Sequence, residues 1–181
     1  MSKLAIRLCL LLLLATAGCH EEKHTAASEA APSANDVLKE YARWTKVSPP
    51  NYRVSAWLAE LCITHPTSTV GTAGPHADVP VAVFVNPRGL PTMTNGIRSA
   101  FPPGSVVVKA KYRSTSQEPD ELGIMIKHEA GYSAENGDWE YAFITVGKPA
   151  TFGQESFQNC RECHRKQKAT DFIFAAYAKT D

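Results

Sequence analysis

The sequence predicts an α+β domain: a mostly antiparallel β-sheet with flanking helices and a C-terminal helix that carries a cysteine pair. Three observations predict it. The middle of the 181-residue chain contains four runs with strand-like patterning. The runs before and after them have the three- and four-residue apolar spacing of helices. Cys160-Arg161-Glu162-Cys163-His164 follows the last strand pattern, near the end of the chain.

Met1 to Gly18 is built like an export signal. Lys3 and Arg7 form a basic start, Leu8 to Ala15 an apolar run too short to span a bilayer comfortably, and Ala15-Thr16-Ala17-Gly18-Cys19 a small-residue cleavage zone. Two cuts fit. Lipoprotein processing before Cys19 leaves an acylated thiol that anchors the protein to a membrane, while cleavage after Ala17 in an A-x-A site leaves it soluble. The expectation is the lipid-anchored form on the periplasmic side of a bacterial membrane, with a soluble periplasmic protein as the alternative. Loss of the signal takes the formal charge from +1 to −1, which argues against nucleic-acid binding.

Residues 19–34, rich in Ala, Glu and Ser, suit a flexible tether, and residues 35–181 form the folded domain. Asn35 is the expected N-cap of a helix bearing Val37, Leu38, Tyr41, Trp44 and Thr45, which Ser48-Pro49-Pro50 stops. Ser55 to Cys62 reads as a short helical or extended segment and Thr64 to Asp78 as a loop. Cys62 stands alone in an apolar run and is expected to pack as a small hydrophobe.

Val79 to Val85 alternates as a strand ended by Asn86-Pro87. A second strand, Ser105 to Tyr112, follows Pro102-Pro103-Gly104. Leu122 to His128 and Trp139 to Val146 read as an antiparallel pair joined through Asn136-Gly137. Arg165 to Lys179 predicts a terminal helix with Phe172, Ile173, Ala176 and Tyr177 on its apolar side.

C-x-x-C-H is the attachment signature of a c-type haem, in which two thiols add to the vinyl groups and the adjacent imidazole reaches the iron. Cysteines three apart share one side of a helical turn. A zinc site would need a second ligand pair, and Cys19 and Cys62 belong to no paired motif. A thioredoxin-like site would lie inside a βαβ unit. The sequence therefore predicts one covalent haem c on Cys160 and Cys163, with His164 as the proximal iron ligand, in an exported protein.

No methionine follows His164 to serve as a second axial ligand. Met93 and Met125 lie upstream, and Met125 suits the core. All-helical electron carriers place C-x-x-C-H near the mature N-terminus, and four-helix haem proteins cannot be drawn through four β-patterned segments.

From Tyr41 to Phe174 the chain resembles the cytochrome P-460 family, with cytochrome c′-beta as a close relative. The resemblance rests on Tyr41-x-x-Trp44, Val83-Phe84-Val85-Asn86-Pro87, the run from Phe101 to Lys109, the run from Leu122 to Lys127, Glu135-Asn136-Gly137-Asp138-Trp139-Glu140-Tyr141, and Cys160-x-x-Cys163-His164 followed by Ala169-Thr170-Asp171. It implies a mostly antiparallel β domain, a homodimer, and a five-coordinate haem whose open face binds small nitrogen species. In hydroxylamine-oxidising members a lysine at the end of the Gly-x-Val-x-Val-Lys strand is joined to the porphyrin edge, which it ruffles and tunes, and electrons leave to a redox partner cytochrome. Lys109 occupies that position, followed by Ala110 where the family usually has an acidic residue.

Alternation puts Ser105, Val107, Lys109 and Lys111 on one strand face, so either lysine can reach a haem packed there; the other reading is two solvated lysines on an edge strand. The resemblance selects Lys109. A distal base would help hydroxylamine shed protons. Where the hydroxylamine-oxidising members carry a basic residue, Val81 to Asn86 is apolar, which leaves His76 and His128 as candidates, with ordinary surface or capping roles as the alternative. Phe84, Phe101 and Trp139 are candidate distal-pocket residues or simply core. Asp171 and Glu162 are expected to cap the terminal helix or touch haem propionates. The leading expectation is oxidation of hydroxylamine or a similar small nitrogen compound. The alternatives are nitric oxide binding without turnover and electron transfer.

Overall fold

Six antiparallel strands form one sheet in which each strand pairs with its sequence neighbour: β1 (Thr45–Lys46), β2 (Val81–Val85), β3 (Val106–Lys111), β4 (Glu121–Lys127), β5 (Trp139–Thr145) and β6 (Thr151–Phe152). The computed structural model describes residues 30–54, 79–112, 117–147, 151–152 and 157–177. The expected export signal, Cys19, Cys62, His76 and the stretch from Ser55 to Asp78 lie outside the described residues. With helices α1 (Ala34–Glu40), α2 (Leu90–Thr94) and α3 (Gln158–His164) against this sheet, the fold is the α+β class that the sequence predicts.

Register divides the sheet into two faces. Val83, Lys109, Gly123 and Phe143 are successive partners across β2 to β5, so residues in phase with them share a face. The opposite face carries Val106, Val108, Leu122, Ile124, Ile126 and Ile144, all buried, with α1 packed over them through Ala34 and Val37. The first face carries Val83, Val85, Val107, Met125 and Tyr141, and the C-terminal segment covers it. Two covered faces explain why β3 and β4 read as nearly continuous apolar runs.

Ser33, not Asn35, caps α1: its hydroxyl accepts from the Asp36 amide at 3.2 Å and donates to the Asp36 carboxylate at 2.6 Å. The helix is shorter than its apolar spacing predicts. It tightens to a 3-10 turn at Tyr41–Arg43, Trp44 is extended, and Thr45–Lys46 pair with β2 as a strand. The β2 hydrogen bonds available to Thr45 and Lys46 prevail over helical continuation.

Asn86 shows why Asn-Pro ends β2. Its Oδ1 accepts from the amides of Gly89 and Val106, both at 3.0 Å, and its Nδ2 donates to the Gly104 carbonyl at 2.8 Å. One buried amide thus satisfies three backbone groups at the corner from which α2 starts. Between β4 and β5 the connection includes a 3-10 turn at Ala134–Asn136, ended by Gly137 at φ +64°.

The predicted terminal helix does not form. Arg165–Thr170 is a 3-10 segment, Asp171 and Phe172 both take left-handed backbone with φ of +46° and +67°, and residues 173–177 are irregular. Tertiary bonds to Asp171 and Phe172, described below, hold this turn against helical propensity. Among the described residues, no helix is long and apolar enough to cross a membrane.

Candidate functional site

The face of the sheet carrying Lys109 and the segment from α3 to Tyr177 form the walls of a cavity that opens to solvent. Val83, Met93, Phe143, Phe157, Ile173 and Phe174 make its wall largely apolar. Its lining is that of a site that buries a cofactor or ligand. Cys160, His164, Lys109 and Lys111 all reach this wall.

The C-x-x-C-H run forms most of α3. Cys160 lines the cavity and Cys163 is buried; neither is in a disulfide. Burial pushes the Cys160 thiol up, against a smaller opposing effect of the Lys109 charge. On the outer side of the helix Gln158 bonds to the exposed Glu162 at 3.0 Å. Arg165, just beyond the helix, donates to Asn136 at 2.8 Å and pairs with Glu135 at 3.0 Å, tying the motif to the β4–β5 connection.

His164 Nδ1 lies 2.6 Å from the Phe172 carbonyl oxygen. A carbonyl only accepts, so Nδ1 carries the proton and neutral His164 keeps Nε2 as an unprotonated donor atom. The ring sits edge-on between Tyr141 and Phe174, at 5.3 and 5.0 Å between centroids. Burial holds its pKa down at about 4, the bond to Phe172 offsets part of this, and the Lys109 charge adds to the lowering. A neutral, oriented imidazole at a cavity wall is what a metal needs from a histidine.

Tyr141 supplies a second sign that the cavity holds something. Its hydroxyl is the one buried side-chain oxygen or nitrogen among the described residues without a hydrogen-bond partner. Such orphans are rare in folded proteins and call for a partner that fills the space. Burial pushes this phenol well above its usual range, so it remains a donor at neutral pH. Together with the Cys160 thiol, the Cys163 thiol buried one helical turn away and the oriented imidazole, this wall fits a haem. Among the described residues no cluster of three or more His, Cys, Asp or Glu side chains could hold a bare metal ion.

Lys109 and Lys111 both face the cavity, as alternation predicts. Lys111 is buried, 3.2 Å from Glu121 and 4.8 Å from the centre of the Phe143 ring. β3 is a central strand between β2 and β4, so these lysines do not guard a sheet edge.

Other sequence candidates lie elsewhere. Phe84 is out of phase with Val83 and packs edge-on against Tyr41, 5.5 Å between centroids, on the face away from the cavity. Phe101 and Trp139 stack edge-on at 5.5 Å in the core on the cavity side of the sheet without lining the cavity. His128 bonds Glu140 at 2.6 Å and stacks on Tyr132, outside the cavity lining. Asp171 is the C-cap of the 3-10 segment through its backbone, while its side chain pairs with Lys127 at 2.7 Å. Met93 and Met125 are buried beside the cavity.

Sequence reasoning missed Tyr141, Phe143 and Phe174. For Tyr141 and Phe143 the signal was available in phase, since both alternate with the apolar residues of β5 that face α1. Phe174 gave no signal, because the turn at Asp171 and Phe172 aims it.

A comparison with curated proteins found no match. The family model described as Cytochrome P460 matches residues 39–175, well over half of the chain. That span contains the sheet, the cavity wall except Tyr177 and the whole C-x-x-C-H helix, and a haem cofactor comes with it: the chain belongs to the cytochrome P460 family.

Proposed function

We propose that this protein oxidises hydroxylamine or a similar small nitrogen compound at one covalent haem c, held by thioethers to Cys160 and Cys163, by His164 on the iron and by a bond from Lys109 to the porphyrin edge. The observation that carries the reading is that Lys109, Cys160 and His164 converge on one apolar cavity. When bound, the haem supplies an open iron position and the electron acceptor. The chain's own residues supply the rest. The Phe172 carbonyl holds the His164 ring in the tautomer that leaves Nε2 for iron. The apolar wall excludes bulk water, and the Tyr141 hydroxyl can donate to a polar ligand or its ordered water.

The same reading makes the mature protein an exported homodimer, anchored to a membrane through Cys19, that passes electrons to a partner cytochrome. The Met1 to Cys19 sequence supports export, and the family supports the dimer and the redox partner. Nitric oxide binding without turnover is the second reading. It is favoured by a cavity lining that includes, among the described residues, no carboxylate and no imidazole besides His164 to accept protons from hydroxylamine.

The test is the mass and absorption spectrum of the mature, haem-loaded protein and its Lys109→Ala variant, with hydroxylamine-dependent reduction of an added cytochrome. A red-shifted ferrous Soret band, the mass deficit of a lysine–porphyrin bond, and turnover, all lost in the variant, are expected. Identical spectra and no turnover in either protein, with nitric oxide still binding, would replace oxidation by the second reading.

A further inference from the structure

The proximal histidine is oriented by a backbone carbonyl that sits in an unusual turn. Asp171 and Phe172 both have positive φ, at +46° and +67°, although neither is glycine. Consecutive left-handed residues with side chains are unfavourable and persist only where the surroundings impose them. Here the surroundings do so chiefly through the Asp171 side chain. The Asp171 carboxylate takes both oxygens to Lys127 Nζ, at 2.7 and 2.8 Å, and Oδ2 also accepts from the Phe101 amide at 2.7 Å. Both members of the pair are nearly buried, with side chains 8% and 11% exposed, and Lys127 lies over the Trp139 ring. Trp139 Nε1 donates to the Asp171 carbonyl at 2.9 Å, so one indole also braces the turn from its backbone side. The next carbonyl along the chain is that of Phe172, 2.6 Å from His164 Nδ1.

We propose that Asp171 is a positioning residue for the iron ligand: its buried ion pair with Lys127 holds the left-handed turn that aims the Phe172 carbonyl at His164 Nδ1. The proposal rests on the reading of His164 as proximal ligand. A strong Nδ1–H bond gives the imidazole more imidazolate character, strengthens its bond to iron and favours the ferric state. The sheet, through Lys127 on β4 and Trp139 on β5, thereby sets the electron-donating power of a ligand carried by a separate segment. A purely structural anchor would hold the C-terminal segment in place without altering the metal.

The experiment compares the wild-type haem-loaded protein with Asp171→Asn and Lys127→Gln by resonance Raman of the ferrous state and by redox titration. In both variants the iron–histidine stretch is expected to move to lower frequency and the midpoint potential to higher values. Folded variants with wild-type frequency and potential would overturn the proposal. Should neither variant fold, the wild-type protein still decides: a stretch like that of neutral-imidazole complexes overturns the proposal, and one shifted toward imidazolate complexes supports it. Absence of an iron–histidine band, or its survival in His164→Ala, would instead sink the ligand assignment itself.

Discussion

Lys111 Nζ lies 3.2 Å from Glu121 Oε2, and the two residues are direct partners across the β3–β4 ladder. The lysine side chain is 1% exposed while the glutamate is 17% exposed, so removing the acid leaves a charge that the protein has already desolvated. Glu121→Ala should cost about 2–4 kcal/mol in denaturant unfolding of the folded protein. Lys111→Met, which keeps the packing over Phe143, should cost no more than about 1 kcal/mol. Equal losses for the two variants would show that packing, not charge compensation, governs this wall.

Asn86 makes three buried bonds to backbone at the β2–α2 corner. Asn86→Ala strands the Val106 amide and the Gly104 carbonyl, while the Gly89 amide keeps the Asn86 backbone carbonyl at 3.1 Å, and the expected loss is about 2–4 kcal/mol. Asn86→Asp keeps the acceptor for Gly89 and Val106 but turns a second oxygen toward the Gly104 carbonyl. Thermal unfolding should place it between wild type and the alanine variant at neutral pH.

A Cβ at Gly137 would overlap the Phe172 ring, at a residue with φ of +64°. Strain and overpacking add here, so Gly137→Ala should destabilise by about 2–4 kcal/mol. Because the ring it displaces belongs to Phe172, the variant should also loosen the bond to His164. Amide exchange on the segment from Gln167 to Ile173 will show this as lost protection relative to β3 and β4.

The His164 ring resists protonation, with a pKa near 4 against the usual 6.5. Between those values the unfolded chain binds more protons than the folded one, so stability is complete above about pH 6.5 and falls as pH drops toward 4. In haem-free protein, made as the Cys160→Ala/Cys163→Ala double variant, this should amount to about 2 kcal/mol after allowance for the ring edge that faces the cavity. Urea midpoints measured from pH 7.5 to 4.5 should fall, and adding His164→Gln should flatten that part of the curve.

The central strands were legible because alternation and turn residues agree. Ser105 to Tyr112 contains the observed Val106–Lys111, and Trp139 to Val146 the observed Trp139–Thr145. What a single strand could not reveal was register. Val83, not Phe84, lies opposite Lys109, and that one fact turns Phe84 away from the cavity once Lys109 faces it. The terminal helix was misread for a different reason. Phe172 and Ile173 have helical spacing relative to Ala176 and Tyr177, but the turn is set by partners far away in sequence, Lys127, Phe101 and Trp139. The short β1 was absorbed into a helix because two residues are too few for any period to register.

The meander order of the sheet governs the sequence in which the protein can be assembled and taken apart. From β3 to β6 each strand pairs with the one before it across a short connection, so that part of the ladder can grow hairpin by hairpin with small loop-closure costs, whereas β1 and β2 close a much longer stretch. Further long closures come with Asp171, whose partners Lys127 and Phe101 stand 44 and 70 residues earlier. Opening that latch together with the Arg165 tie to Asn136 and Glu135 would free the stretch from α3 to Tyr177 while leaving β2 to β5 paired. Sub-global opening of this kind would expose the cavity face long before the sheet melts, making the C-terminal segment a cooperative unit of its own.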